Sequence, residues 1–321
     1  MKNALLFAIL CLGALGCADT VAGDDGEQPL LTSRQRIVGG AVDTAHAYVV
    51  GVGTRSRAFC SGTVISRRTV ITAGHCYGGL SRVYFGSNLG RRAVSARIEA
   101  SKRHPGYDPA TLENDLTLLK LESDAPVQPA PLLRESMDNN GWYIGPDYTF
   151  VGYGVSDGVA GTGFGTRRVV TFPILAVGPA RVGGTPGTIN ATQFYYQVPA
   201  MNTCSGDSGG PAFLVRWGVE RHAGVTSFGD DPCTLDGVQA RTDLDQISRF
   251  IQPTIDEFEA DNPCRADGRC EATCDVGPDV VDPDCAEYHC GADGVCAQAC
   301  AQPPDPDCSL EDGAPEWSPE W

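Results

Sequence analysis

The stretch Cys204-Ser205-Gly206-Asp207-Ser208-Gly209-Gly210-Pro211 restricts this chain more than any other. A serine between an aspartate and paired glycines has the composition of a surface turn, and Gly206–Gly209 alone would say no more than that. The whole octapeptide is more specific. Glycine opens backbone conformations closed to other residues and leaves N–H groups free to face a developing oxyanion. A serine hydroxyl is a weak nucleophile at neutral pH unless a base stands beside it. A chain built on this loop therefore has to deliver a His and an Asp to Ser208.

Two segments offer them. Thr72-Ala73-Gly74-His75-Cys76 follows a β-branched run, Thr69–Thr72. A lone His is as a rule a surface or satisfied core residue, but this one adjoins Cys76, which can bond to Cys60 and close a small loop around it. Asn114-Asp115-Leu116-Thr117-Leu118-Leu119 sends a carboxylate into an apolar strand, which is costly unless it is hydrogen-bonded. His75, Asp115 and Ser208 occur in that order, 40 and 93 residues apart. The α/β-hydrolase and subtilisin orders differ.

With Arg34-Gln35-Arg36 running into Ile37-Val38-Gly39-Gly40, these segments resemble the chymotrypsin/trypsin-like serine proteases. The resemblance covers roughly residues 37–258. It implies two six-stranded antiparallel Greek-key barrels and a C-terminal helix. An all-β class also suits the 39 Gly, 22 Pro and many short apolar runs. The resemblance makes His75 the general base, Asp115 the residue orienting it, and Ser208 the nucleophile. Gly206 and Ser208 would supply the oxyanion hole, and Ser227 would support Asp115 and line the substrate pocket. Cys204 and Cys233 would form a disulfide stapling that pocket. A zymogen cut between Arg36 and Ile37 would free an ammonium to pair with Asp207. Gly74 stands where Ala is commoner, a small exchange expected to be without consequence, and Tyr153 stands where Trp is usual.

Specificity departs from the trypsin pattern. Asn202 occupies the floor position where trypsin-like members carry Asp, so a substrate Arg or Lys would lack its ion partner there. Gly229 and Gly237 at wall positions predict an open, deep pocket for large apolar or polar side chains. Gln239 replaces a Tyr on the rear wall, and Asp230 and Asp236 lie near enough in sequence to restore acidity. No cofactor and no metal is implied. The loop Ser87–Arg92, where some relatives bind calcium, holds two arginines and no acid.

Composition sets the context. Lys2, the apolar run Ala4–Leu15 and the small residues Gly16-Cys17-Ala18 read as a signal peptide over 1–18, too short to span a bilayer. Ala14-Leu15-Gly16-Cys17 also resembles a bacterial lipoprotein processing site, so a transient lipid anchor on Cys17 and ordinary cleavage after Cys17 or Ala18 both stand. Residues 19–36 read as an activation propeptide and 37–260 as the protease domain. Fourteen Cys in an exported chain point to disulfides. Eight of them form two repeats over 261–308, Cys264-x5-Cys270-x3-Cys274-x10-Cys285 and Cys290-x5-Cys296-x3-Cys300-x7-Cys308, a small disulfide-rich extension whose pairing stays open. Metal binding by its Asp-rich ends is a further reading, without EF-hand spacing to favour it. Residues 309–321 form a flexible acidic tail. Residues 261–321 hold fifteen acids against Arg265 and Arg269 and carry most of the net charge of −16, which argues against nucleic acid as a partner.

The expected protein is a secreted, monomeric serine endopeptidase without a transmembrane segment, acting on proteins or peptides and needing an activating protease. Two alternatives stand beside it: a catalytically silent homologue used for binding, and a chain whose acidic repeats are the working module. Leu244, Ile247, Phe250, Ile251 and Phe258 predict the closing helix, with Pro253 kinking or splitting it.

Overall fold

The structure, a computed structural model, describes residues 40–260 apart from 91, 92, 185, 200 and 232. Arg36, Ile37, Cys17 and the Cys-rich repeats lie outside the described residues.

Six strands close the first barrel: β1 (Val49–Gly53), β2 (Ala58–Val64), β3 (Thr69–Thr72), β4 (Arg82–Phe85), β5 (Val94–Arg103) and β6 (Thr117–Leu121). Around the ring they run β1-β2-β3-β6-β5-β4, all antiparallel, and β1 completes it by pairing with both β2 and β4. β1 and β3 are β-branched-rich runs buried along their whole length, whereas β5 alternates exposed and half-buried residues and forms an outer wall.

The second half contributes β7 (Asp147–Gly152), β8 (Arg168–Pro173), β9 (Gln193–Gln197), β10 (Pro211–Arg216), β11 (Val219–Gly229) and β12 (Asp236–Arg241). Their order β8-β7-β10-β11-β12-β9, read as a ring, repeats that of the first barrel. Here the ladder is left open between β8 and β9. Ala41–Val42 pairs with β8 and Ala176–Val177 with β9, so short added strands take up both edges. Phe150, Phe172 and Tyr196 pack inside, with the Phe150 and Phe172 ring centroids 4.2 Å apart.

Val49, Val151, Tyr153 and Phe213 form a separate apolar cluster joining the halves. Tyr153, buried among them, sets its hydroxyl 2.7 Å from both the Val49 and Gly86 carbonyl oxygens. The phenol thus anchors the second half to the first.

The described residues end with a helix that is α over Leu244–Gln246, π over Ile247–Ile251 and α again over Gln252–Phe258. Pro253 has no N–H and its ring would clash with the carbonyl four residues earlier. The helix widens into a π turn just ahead of it instead of separating into two. Ile247, Phe250, Ile251, Ile255 and Phe258 pack on the first barrel, while Leu244 is exposed. Glu259, fully buried, then accepts hydrogen bonds from Thr69 Oγ1 at 2.7 Å, Arg68 N at 3.0 Å and Ser66 Oγ.

This topology fixes where the site can be. Thr72 of β3 lies opposite Thr117 of β6 in an antiparallel pair, so residues following β3 and preceding β6 emerge at one end. Pro211 of β10 lies opposite Val225 of β11, so residues preceding β10 and following Val225 emerge together as well.

Candidate active site

His75 sits in a single 3-10 turn, Gly74–Cys76, directly after β3. Asp115 lies two residues before β6. Its neighbour Asn114 takes φ of 52°, a left-handed conformation that Asn tolerates better than most residues. Asn114 is held there by Nδ2 donating to the Gly106 carbonyl at 3.0 Å and by Gln246 Nε2 donating to Asn114 Oδ1 at 3.1 Å.

The Asp115 carboxylate has no solvent exposure. Its Oδ1 accepts the His75 backbone N–H at 2.7 Å, and its Oδ2 lies 2.7 Å from His75 Nδ1 and accepts Ser227 Oγ at 2.5 Å. With Nδ1 committed to this carboxylate, the free ring nitrogen of His75 is Nε2. The His75 side chain keeps 29 % of its surface open, whereas Asp115 is fully buried. Gly74 is tighter than a small-for-small exchange implies. A Cβ there would stand 2.9 Å from the Tyr107 ring and 3.0 Å from Asp115 Oδ1.

Ser208 occupies the loop ahead of β10. The Asp207, Gly209 and Gly210 amides donate to the Cys204, Thr226 and Asp207 carbonyls at 2.8, 2.8 and 2.7 Å. Among the described residues, the Gly206 and Ser208 amides have no acceptor, which leaves two N–H groups of one loop unused beside the hydroxyl. Gly206 takes φ of +97°, and a Cβ on it would stand 2.6 Å from the Phe164 ring, so glycine is required on both counts. Ser208 Oγ makes no hydrogen bond with His75 among the described residues. The Ser208 carbonyl instead accepts Ser61 N at 2.8 Å and lies 3.8 Å from Cys76 Sγ, which sets the serine backbone beside the His75 turn. Catalytic hydrogen bonds are often long before substrate binds.

Ser61 is the residue that sequence reading missed. Its hydroxyl donates to the Gly206 carbonyl at 2.9 Å and accepts Tyr153 N at 3.0 Å. Its carbonyl accepts Thr72 Oγ1 at 2.7 Å. One small residue in β2 thereby ties the Ser208 loop to both halves. Its position next to Cys60, which bridges to Cys76, was the only signal of this in the sequence.

Asp207 is buried. Gly154 N donates to its Oδ1 at 2.7 Å and Cys204 N to its Oδ2 at 2.9 Å. Burial pushes its carboxyl up to about 6, against those two amides and the charge of Arg168.

Next to Ser208 lies a cavity of about 260 Å³ with Thr203, Thr226, Ser227, Gly229, Asp230 and Asp231 in its walls. The Cys204–Cys233 disulfide is formed at its edge. Asn202 and Gly237 do not border it. The fully buried Tyr196 crosses beneath, its hydroxyl 2.6 Å from Asn202 Oδ1 and 2.8 Å from Thr203 Oγ1. A Cβ at Gly237 would collide with that hydroxyl. Asn202 Nδ2 is also spent, on Asp230 Oδ1 at 3.0 Å and the Asp236 carbonyl at 2.8 Å. The floor is therefore a closed polar seal, not the deep slot expected from two glycines. Asp236 and Gln239 are buried behind it. Burial alone would raise the Asp230 carboxyl, but the Thr234, Asp236 and Leu235 amides hold it below its ordinary value.

A family model described as Trypsin matches residues 37–251. The chain is 31 % identical to "Trypsin epsilon" of Drosophila erecta over 235 residues, covering 70 % of this chain and 88 % of that one. It is 30 % identical to "Kallikrein-7" of Homo sapiens, covering 73 % and 89 %. It is 32 % identical to "Trypsin" of Phaedon cochleariae, covering 50 % and 69 %.

Proposed function

Because the chain belongs to the trypsin family of serine endopeptidases, we propose that it hydrolyses peptide bonds through an acyl-enzyme on Ser208, with His75 and Asp115 completing a catalytic triad. His75 Nε2 takes the Ser208 proton as Oγ attacks the carbonyl, then protonates the leaving amine. Water deacylates the enzyme by the same route in reverse. Asp115 fixes the tautomer and stabilises the imidazolium. The Gly206 and Ser208 amides hold the oxyanion, each worth about 3 kcal/mol in such sites.

The observation that carries this reading is the hydrogen bonding of Asp115. A carboxylate removed from water and bonded to His75 Nδ1, His75 N and Ser227 Oγ is costly to build, and a silent binding protein has no use for it. Labelling with a serine-directed phosphonate tests the reading. One adduct, on Ser208 and abolished by Ser208→Ala, is expected; an unlabelled but folded and processed protein would favour the binding homologue.

In the same reading the chain is exported as a precursor, with 1–18 as signal peptide, 19–36 as propeptide, 37–260 as protease domain, and the two repeats over 261–308 and tail 309–321 as an extension. Cleavage between Arg36 and Ile37 by an activating protease frees an ammonium that pairs with Asp207. Support comes from Asp207 itself, whose buried carboxyl two amides do not hold at its ordinary value. The acyl-side pocket is polar, with Asn202 beneath its floor, and the Asp230 carboxylate in its wall is already taken up by Asn202 Nδ2 and by the Thr234, Leu235 and Asp236 amides. The preferred residue before the scissile bond is accordingly not Arg or Lys, which a panel of otherwise identical peptides checks.

A further inference from the structure

On the other side of Gly206 a second cavity, of about 810 Å³, leads away from Ser208 between the loops of the two halves. We infer that it binds the leaving-group side of the substrate and selects peptides with an acidic residue two or three positions after the cleaved bond. This rests on Ser208 being the nucleophile.

The inner end is apolar. Phe164, 41 % exposed, lies against the Gly206 backbone, and Phe59 precedes the cysteine that bridges to the His75 turn. Tyr84 and Leu89 continue the wall. The outer end carries Arg55 and Arg57, both exposed. Among the described residues, neither guanidinium has a partner and no acidic side chain lines the groove.

Their turn is nonetheless held in place. Thr54 N donates to the Arg57 carbonyl at 2.9 Å, Ser56 N to Thr54 Oγ1 at 3.3 Å, and the Tyr84 hydroxyl to the Thr54 carbonyl at 2.6 Å. The charges are thus presented on an ordered hairpin, whose conformation does not depend on them. Arg57 is two residues before Phe59, about 7 Å along an extended chain, and a bound peptide advances at about the same pitch. That spacing sets the acidic residue at the second or third position. The acyl-side cavity has the opposite sign, with Asp230 and Asp231 in its walls and no basic residue. The cleft is therefore polarised across the scissile bond.

The test is hydrolysis of paired peptides, alike up to the cleaved bond, carrying Glu, Gln or Lys at the second and third following positions. It is run on the mature full-length protein and on Arg55→Gln/Arg57→Gln. The wild type should prefer Glu over Gln by about fivefold in kcat/KM at low ionic strength, the range of two exposed ion pairs, and the preference should shrink with salt. The double variant should lose the preference, its kcat/KM values for the Glu and Gln peptides converging at any salt concentration. Equal rates for Glu and Gln, or a preference that survives the double substitution, would overturn the inference. Failure to cleave any peptide would instead strike the peptidase reading and remove this one with it.

Discussion

Asp115 keeps its charge out of water only because three donors converge on it. Asp115→Asn preserves the shape but can present an N–H donor to His75 Nδ1 where the carboxylate presented an acceptor, so the ring is held in the wrong tautomer. A loss in kcat of about four orders of magnitude is expected, the size general to Ser-His-Asp triads, with little change in KM. Steady-state kinetics checks it, and a loss below tenfold would remove Asp115 from the triad. Ser61→Ala is subtler, because it leaves the Tyr153 amide without its acceptor and frees the Gly206 carbonyl. It should cost about 1–3 kcal/mol in unfolding free energy and lower kcat by loosening the loop that carries Gly206 and Ser208. Unchanged denaturation and kinetics would show that the tie is dispensable. At this scale the meeting of His75 with Asp115 and the placing of the Ser208 backbone beside the His75 turn were legible, since each segment has a distinctive neighbourhood in the chain. Tyr196 was not. Its hydroxyl reaches Asn202 and Thr203 only because β9 and β12 pair Tyr196 with Gly237, and that register is a tertiary fact.

Between elements, buried ionic clusters decide more than local preference does. His46 lies between Asp43, 2.8 Å from Nδ1, and Glu220 of β11, 3.0 Å from Nε2, with Arg167 on Asp43 at 2.7 Å and Tyr48 on Glu220 at 3.0 Å. Burial alone would lower the imidazole, but the bonds and charges of Asp43 and Glu220 overcome it and raise it to about 9. A folded value above the unfolded 6.5 means that stability is fully present below pH 6.5 and lost as pH rises through about 9. Denaturant midpoints at pH 6 and 9.5 should show this fall, and His46→Asn should flatten it; an equal slope in the variant would exclude His46 as its source. Nothing in the sequence flagged this cluster, because Asp43 and Glu220 meet only when the N-terminal segment crosses onto the second half. The closing helix shows the same limit. Its apolar spacing was readable, yet the π turn reflects how one register must serve both Pro253 and the barrel surface.

Across the whole molecule, the proposed cleavage at residue 36 assembles a site whose parts lie in two separate sheets. In the proposed activation the freed α-ammonium must be charged to pair with Asp207, and the pairing would raise its pKa above the ordinary 7.7–8.0. Activity of the cleaved form should therefore hold through neutral pH and fall as pH rises through that raised value. The most direct test is to follow phosphonate labelling of Ser208 in the full-length chain before and after cleavage between Arg36 and Ile37. Negligible labelling is expected before cleavage and rapid, stoichiometric labelling after it, the latter lost in Asp207→Asn. Equal labelling before and after, or no labelling of a folded, cleaved chain, would contradict the proposed activation.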